Sequence, residues 1–113
     1  MKDCLFCKII AGEISSAKVY EDENVYAFRD INPMAPTHVL VVPKTHIASL
    51  ADIGGVSDTV LAACLRACSA IAEQEGLKGG FRVASNCGPD ACQSVQHLHF
   101  HVLGGKKLTE VMG

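Results

Sequence analysis

The chain has 113 residues, 49% of them apolar and 19% charged, with ten glycines and four prolines. That composition excludes disordered and collagen-like classes, and the length suits one domain spanning 1–113, within the usual ~100–150 residues. Ten Lys and Arg against twelve Asp and Glu give a formal net charge of −2, which excludes the broad basic face that nucleic-acid or anionic-membrane binding requires. No run of 18 uncharged apolar residues occurs, and Lys8 interrupts the apolar stretch near the start. Neither a membrane span nor a secretory leader is expected, so the chain is read as cytoplasmic. Six cysteines without a leader are read as metal ligands or reduced core thiols rather than disulfides.

In chain order, Cys4 to Ala11 reads as a short helical turn closed by Gly12. Val19–Glu21 and Val25–Arg29 are β-rich runs around Asp22-Glu23-Asn24, the signal of a hairpin. Asp30 to Pro36 is a loop, because Pro33 and Pro36 deny regular hydrogen bonding, and Thr37–Val42 is a strand halted by Pro43. From Ser57, a plausible N-cap, to Glu75, Leu61, Cys64, Leu65, Cys68, Ile71 and Ala72 recur at helical spacing, and Gly76 supplies the stop. Phe81–Ser85 is a further strand, Asn86–Gln93 a loop, and His97–Leu103 a last strand before Gly104-Gly105. Together these predict an α+β domain: a mostly antiparallel five-stranded sheet with one long helix and a short N-terminal helix.

The last strand carries the chemical signal. Side chains on a strand alternate faces, so His97, His99 and His101 share one face while Leu98, Phe100 and Val102 share the other. If the apolar set packs on the long helix, three imidazoles remain on the opposite, more accessible face. The residue pattern admits a half-solvated strand, a catalytic zinc held by an adjacent His pair, or a histidine that attacks an electrophile directly. Cys4-Leu5-Phe6-Cys7 likewise admits a redox pair, a zinc half-site or two incidental thiols. Cys64 and Cys68, four apart on the helix stripe, are read as core thiols.

The run from Gln93 through His97-Leu98-His99-Phe100-His101 to Gly105 resembles the signature of the histidine-triad family. Its trailing Gly104-Gly105 is similar to the histidine triad nucleotide-binding (Hint) branch, and Cys4-Leu5-Phe6-Cys7 resembles the half zinc site of that branch's bacterial zinc-containing form. Ile9–Ile14, Asp30–Pro33, Ala35–His38 and Val42–Ile47 resemble family blocks in family order. The resemblance implies a histidine-triad fold and a hydrolase acting at the α-phosphorus of purine nucleoside phosphoramidates or related monophosphate esters. It implies His99 as the nucleophile, forming a covalent nucleotidyl-imidazole. His101 would contact the phosphate and leaving group, Ser94 would assist the leaving amine, and His38 would line the pocket. It also implies a homodimer that binds a purine nucleotide of AMP or GMP type.

Asp30 admits two readings, a turn former or a carboxylate accepting ribose hydroxyls, and the resemblance implies the second, with Ile31 against the base. Phe6 is a candidate base contact as well as a candidate core residue. Asn86 and Cys92-Gln93-Ser94 lie in the loop before the triad, where backbone N–H groups could hold phosphate oxygens without Lys or Arg. Here Ala91 and Cys92 stand where the family pattern has two glycines, and both are costlier than Gly at positive φ. For metal, the resemblance implies a structural zinc on Cys4, Cys7, His46 and His97, with no metal required for the chemistry. Two rival functions stay open: a dinucleoside polyphosphate hydrolase, and a non-catalytic zinc-stabilised nucleotide-binding module. Gly104-Gly105 leans toward the phosphoramidate hydrolase.

Overall fold

The computed structural model describes residues 3–111. The expected hairpin forms as β1 (Lys18–Glu21) and β2 (Val25–Arg29). Asp22 closes it, its Oδ1 accepting the N–H groups of Asn24 and Val25 at 2.8 Å each. β3 (Thr37–Pro43) is buried at all seven positions, as expected of a central strand covered on both faces. With β4 (Phe81–Ala84) and β5 (Phe100–Gly104) the sheet runs β1-β2-β3-β5-β4, antiparallel at every pairing. The α+β fold class and its five-stranded antiparallel sheet are therefore as the sequence indicated.

One face packs on the long helix α2 (Asp58–Gln74), the other on the short helix α1 (Leu5–Ile10). Against α2 lie Val25, Ala27, Val39, Val41 and Val102; against α1 lie Phe28, Leu40 and Val42, so alternation along β2 and β3 feeds two cores. The caps of α2 are those its sequence promised. Ser57 Oγ accepts the Val60 N–H at 3.3 Å. At the other end Gly76 takes φ +69°, with Gly76 N–H to Glu73 O and Leu77 N–H to Ala72 O forming a Schellman motif. The buried stripe is Cys64, Ala67, Cys68, Ile71 and Ala72, the i, i+3, i+4, i+7, i+8 set. Leu65 lies one position round the helix and is 59% exposed, which corrects its place in the apolar face. Burial pushes both the Cys64 and Cys68 thiols up to about 11, consistent with core thiols.

The last strand departs from expectation. β5 begins at Phe100, so His97 and His99 precede the sheet rather than belonging to it. In continued register Pro43 would face Leu98, and proline has no N–H to offer, so the β3 ladder ends there. Leu98 N–H is taken instead by Ile47 O at 2.6 Å. Just past β5, Gly105 holds φ +93° with Pro36 packed where a side chain would stand, and a Cβ on Gly104 would meet Leu77 at 2.8 Å. Among the described residues no helix is long and apolar enough to cross a membrane.

Candidate active site and metal centre

The histidines are not on an open face, which corrects the expected exposure: α1 lies over them. His97 is fully buried and His99 is 4% exposed. Phe6 is the lid; its ring meets His99 edge-on at 5.1 Å, His97 at 6.0 Å and Phe28 at 5.4 Å. At 4% exposure Phe6 packs in the core formed with Ile9, Phe28, Leu40 and Val42.

Backbone carbonyls fix the tautomers, because a carbonyl can only accept. His99 Nδ1 lies 2.7 Å from His97 O and must carry the proton, leaving the Nε2 lone pair free. His97 Nε2 lies 2.8 Å from Pro43 O, so its free lone pair is on Nδ1. His38 runs the other way: Met34 N–H donates to its Nδ1 at 3.0 Å, which places its proton on Nε2. That Nε2–H donates to His101 Nδ1 at 2.9 Å, and neutral His101 then carries its own proton on Nε2, a buried atom without a protein partner among the described residues. Strand register explains the contact: Leu40 faces His101 across β3 and β5, so His38 and His101 are diagonal neighbours on one face. Burial drives the His101 pKa down to about 4, assisted by the neighbouring His99 and His38. Burial also lowers His38, against the opposing charge of Asp30.

Asp30 is a turn former, and its second carboxylate oxygen faces His38. Oδ1 accepts Asn32 N–H at 2.9 Å and shapes the turn, while Oδ2 stands 3.4 Å from His38 Nε2. Ile31, beside it, is 91% exposed.

Cys4, Cys7, His46 and His97 converge, one ligand atom from each lying within 4.8 Å of the others. Cys4 Sγ to His97 Nδ1 is 3.3 Å, Cys7 Sγ to His46 Nδ1 3.3 Å and Cys7 Sγ to His97 Nδ1 3.5 Å. Tetrahedral zinc, with bonds near 2.3 Å to sulfur and 2.0–2.1 Å to nitrogen, sets sulfur and nitrogen about 3.5 Å apart. The donor set therefore fits a closed Cys₂His₂ shell. The Cys-x-x-Cys spacing works because Cys4 is the N-cap of α1 and Cys7 lies in its first turn, the Cys7 N–H reaching Cys4 Sγ at 3.3 Å. Burial, then hydrogen bonding and charge from Cys4, push the Cys7 thiol up to about 11; a bound cation reverses that preference.

The loop before the triad is a 3-10 turn (Pro89–Ala91), and its exit residue Cys92 sits in the left-handed region at φ +60°. The glycine-like conformation is thus kept by a cysteine, the sole non-glycine with positive φ among the described residues. Gln93 has no free amide: its Nε2 donates to Ala48 O and Val95 O, and its Oε1 accepts Gly88 N–H, so its side chain braces the loop. Ser94 and Cys92 are exposed and Asn86 is half-buried. Among the described residues, the N–H groups of Ser94, Val95 and Gln96 donate to no protein acceptor. Three contributors escaped the sequence reading: the Pro43 carbonyl, the Met34 N–H, and Ser85, whose hydroxyl donates to His99 O at 2.7 Å. The first two are backbone groups with no residue-type signal, and a serine after a strand has little more.

The HIT domain family model matches residues 11–108. The chain belongs to the HIT family. Among similar proteins, the 14 kDa zinc-binding protein of Zea mays is 49% identical over 106 residues, covering 92% of this chain and 83% of that one. Adenylylsulfatase HINT1 of Arabidopsis thaliana is 42% identical over 106 residues, covering 92% and 72%. The crystal structure of a HIT family hydrolase from Legionella pneumophila Philadelphia 1 superposes with a TM-score of 0.95 at 45% identity, over 98% of this chain and all of that one.

Proposed function

We propose that this HIT protein is a hydrolase of purine nucleoside phosphoramidates or related monophosphate esters, working through a covalent nucleotidyl-His99. The observation that carries the reading is the tautomer of His99: with Nδ1–H held by His97 O, the neutral imidazole presents its lone pair at Nε2. Attack by Nε2 on the α-phosphorus forms a P–N bond to His99 as the bond to the leaving amine breaks. The amine leaves with a proton taken up from solvent through the exposed Ser94 hydroxyl. Water then cleaves the P–Nε2 bond, giving the nucleoside monophosphate, restoring neutral His99 and returning a proton.

His101, held neutral by burial, offers its Nε2–H to a phosphoryl oxygen as a hydrogen-bond donor rather than a proton source. His38 keeps that ring oriented. Asp30 would accept the ribose hydroxyls and Ile31 would lie on the base. The unpaired N–H groups after Gln93, with Asn86 and the Cys92 turn beside them, would receive the remaining phosphate oxygens. The name of the Arabidopsis relative, adenylylsulfatase, supports an adenylyl substrate class. The Cys4, Cys7, His46 and His97 set would hold a structural zinc, whose bonds fasten α1 and the His46 loop to the start of the triad; the name of the maize relative supports that metal. A cytoplasmic homodimer completes the proposal: edge strand β4 exposes Phe81 (45%) and Val83 (38%), and α2 exposes Leu65 (59%).

The test is a rapid-quench assay with an adenosine phosphoramidate beside a diadenosine polyphosphate. The expected result is preferred cleavage of the phosphoramidate through an adenylylated species that maps to His99. Preference for the polyphosphate selects the first rival function, and AMP binding with neither turnover nor adduct selects the second. Light scattering at micromolar concentration should return twice the chain mass, and a monomer would refute the dimer.

A further inference from the structure

β4 stops at Ala84, paired with His101 of β5. In continued register Ser85 would stand opposite Phe100, and Asn86 opposite His99, yet neither pair forms. The His99 carbonyl is thus left where the sheet ends, and the Ser85 hydroxyl takes it at 2.7 Å. Of the three residues before β5, Leu98 is tied through its N–H to Ile47 and His97 through its ring to Pro43. His99 is tied through its ring to His97 O and through its own carbonyl to Ser85. Phe100 is held by β3, and from His101 onward the sheet holds the backbone on both sides, by β3 and β4. The His99 carbonyl therefore stands at the boundary between this tied segment and the sheet, with the Ser85 hydroxyl on it.

We propose that Ser85 is a positioning residue for His99: its hydroxyl locks the His99 carbonyl at the end of the β4 and β5 ladder and so fixes where the His99 Nε2 lone pair points. The activity readout rests on the hydrolase reading above; the structural readout does not. Locking matters because a nucleophile displaced by an ångström loses on the order of a hundredfold in rate. Ser85 also begins the segment leading through Asn86 to the Cys92 turn, so one hydroxyl ties the loop that would hold phosphate to the peptide of the group that would attack it. Alanine at position 85 leaves a half-buried carbonyl without a donor, whereas threonine keeps the hydroxyl.

The experiment compares wild type, Ser85→Ala and Ser85→Thr in steady-state kinetics on an adenosine phosphoramidate, in melting temperature, and in the ¹⁵N signals of the His99 imidazole. Expected for Ser85→Ala are a kcat lowered about tenfold with KM within about twofold, and His99 signals that broaden or mix tautomers. Ser85→Thr should return both toward wild type. Unchanged kcat and unchanged His99 signals in Ser85→Ala would overturn the proposal. So would equal losses in Ser85→Ala and Ser85→Thr that follow a common drop in melting temperature, since that marks a loop-stability effect alone. If wild type cleaves no substrate, the hydrolase reading fails, and the His99 signals still decide the role of Ser85.

Discussion

Two groups of side chains stand close enough to grip one ion: Cys4, Cys7, His46 and His97, and Asp30, His38 and His101. Distance does not separate them, but protons do. In the first group the Pro43 carbonyl takes the proton-bearing nitrogen of His97, and the other nitrogen turns its lone pair toward two thiols. In the second group the Met34 N–H occupies a lone pair of His38, so the nitrogen facing His101 and Asp30 carries a hydrogen. A cation there would need His38 either to break its backbone bond or to become an imidazolate. The first cluster could hold a positive ion, whereas the second passes a line of hydrogen bonds to the buried Nε2–H of His101. One backbone group decides each case.

The sharpest way to break this contrast is to remove His99, which packs beside His101 of the second cluster, and separately Cys4 of the first. His99→Ala should lower turnover by roughly 10⁴-fold or more while AMP affinity stays within about tenfold, because the attacking atom is gone and the ribose and base contacts are not. Cys4→Ser, by contrast, should leave kcat within about threefold at low temperature. Steady-state kinetics and AMP titration check both, and single-turnover cleavage surviving in His99→Ala would remove His99 as nucleophile.

Next in size is the metal effect. Cys4→Ser with Cys7→Ser should abolish stoichiometric zinc and lower the melting temperature by about 10 °C or more, since a closed shell acts on folding. His38→Ala should keep its zinc. Elemental analysis and calorimetry distinguish the two clusters, and metal lost from His38→Ala rather than from the cysteine variant would reverse their roles.

Asp30→Ala tests the edge of the second cluster. It should raise KM for ribonucleotides about tenfold and erase most of the preference over 2′,3′-dideoxy analogues, because an unpaired carboxylate discriminates by what it lacks. A preserved preference returns Asp30 to its turn-forming role through Oδ1 alone.

The smallest effect is on stability against pH. His101 has a folded pKa near 4, below the 6.5 of an unfolded imidazole, so between those values the unfolded chain binds the extra proton. Stability must then fall as pH drops from about 6.5 toward 4, with His38 and His97, both lowered by burial, acting in the same sense. Melting curves across that range should be steeper for wild type than for His101→Gln, and equal slopes would contradict the buried, neutral relay.

The sequence carried the elements whose signals are local. The Asp22 hairpin, the Ser57 cap and the Gly76 stop depend on residues a few positions apart, and all three are in place. The extent of the histidine strand was not legible, because what ends the ladder is Pro43 on another strand, more than fifty residues away. The role of Phe6 was not legible either: a phenylalanine on a short helix gives no sign that it will roof two histidines. Cys4 and Cys7 announced themselves by spacing, whereas His46 and His97 were reachable only through resemblance, since nothing local brings residues 39 and 90 positions away to Cys7. The tautomers, on which the chemistry turns, rest on carbonyl and amide groups that every residue carries.

The most direct test of the division between the two clusters is zinc K-edge absorption spectroscopy on protein purified without chelator. The assignments above predict one zinc per chain with a shell of two sulfur and two nitrogen donors, from Cys4, Cys7, His46 and His97. A shell of nitrogen and oxygen donors, or no stoichiometric zinc at all, would contradict them.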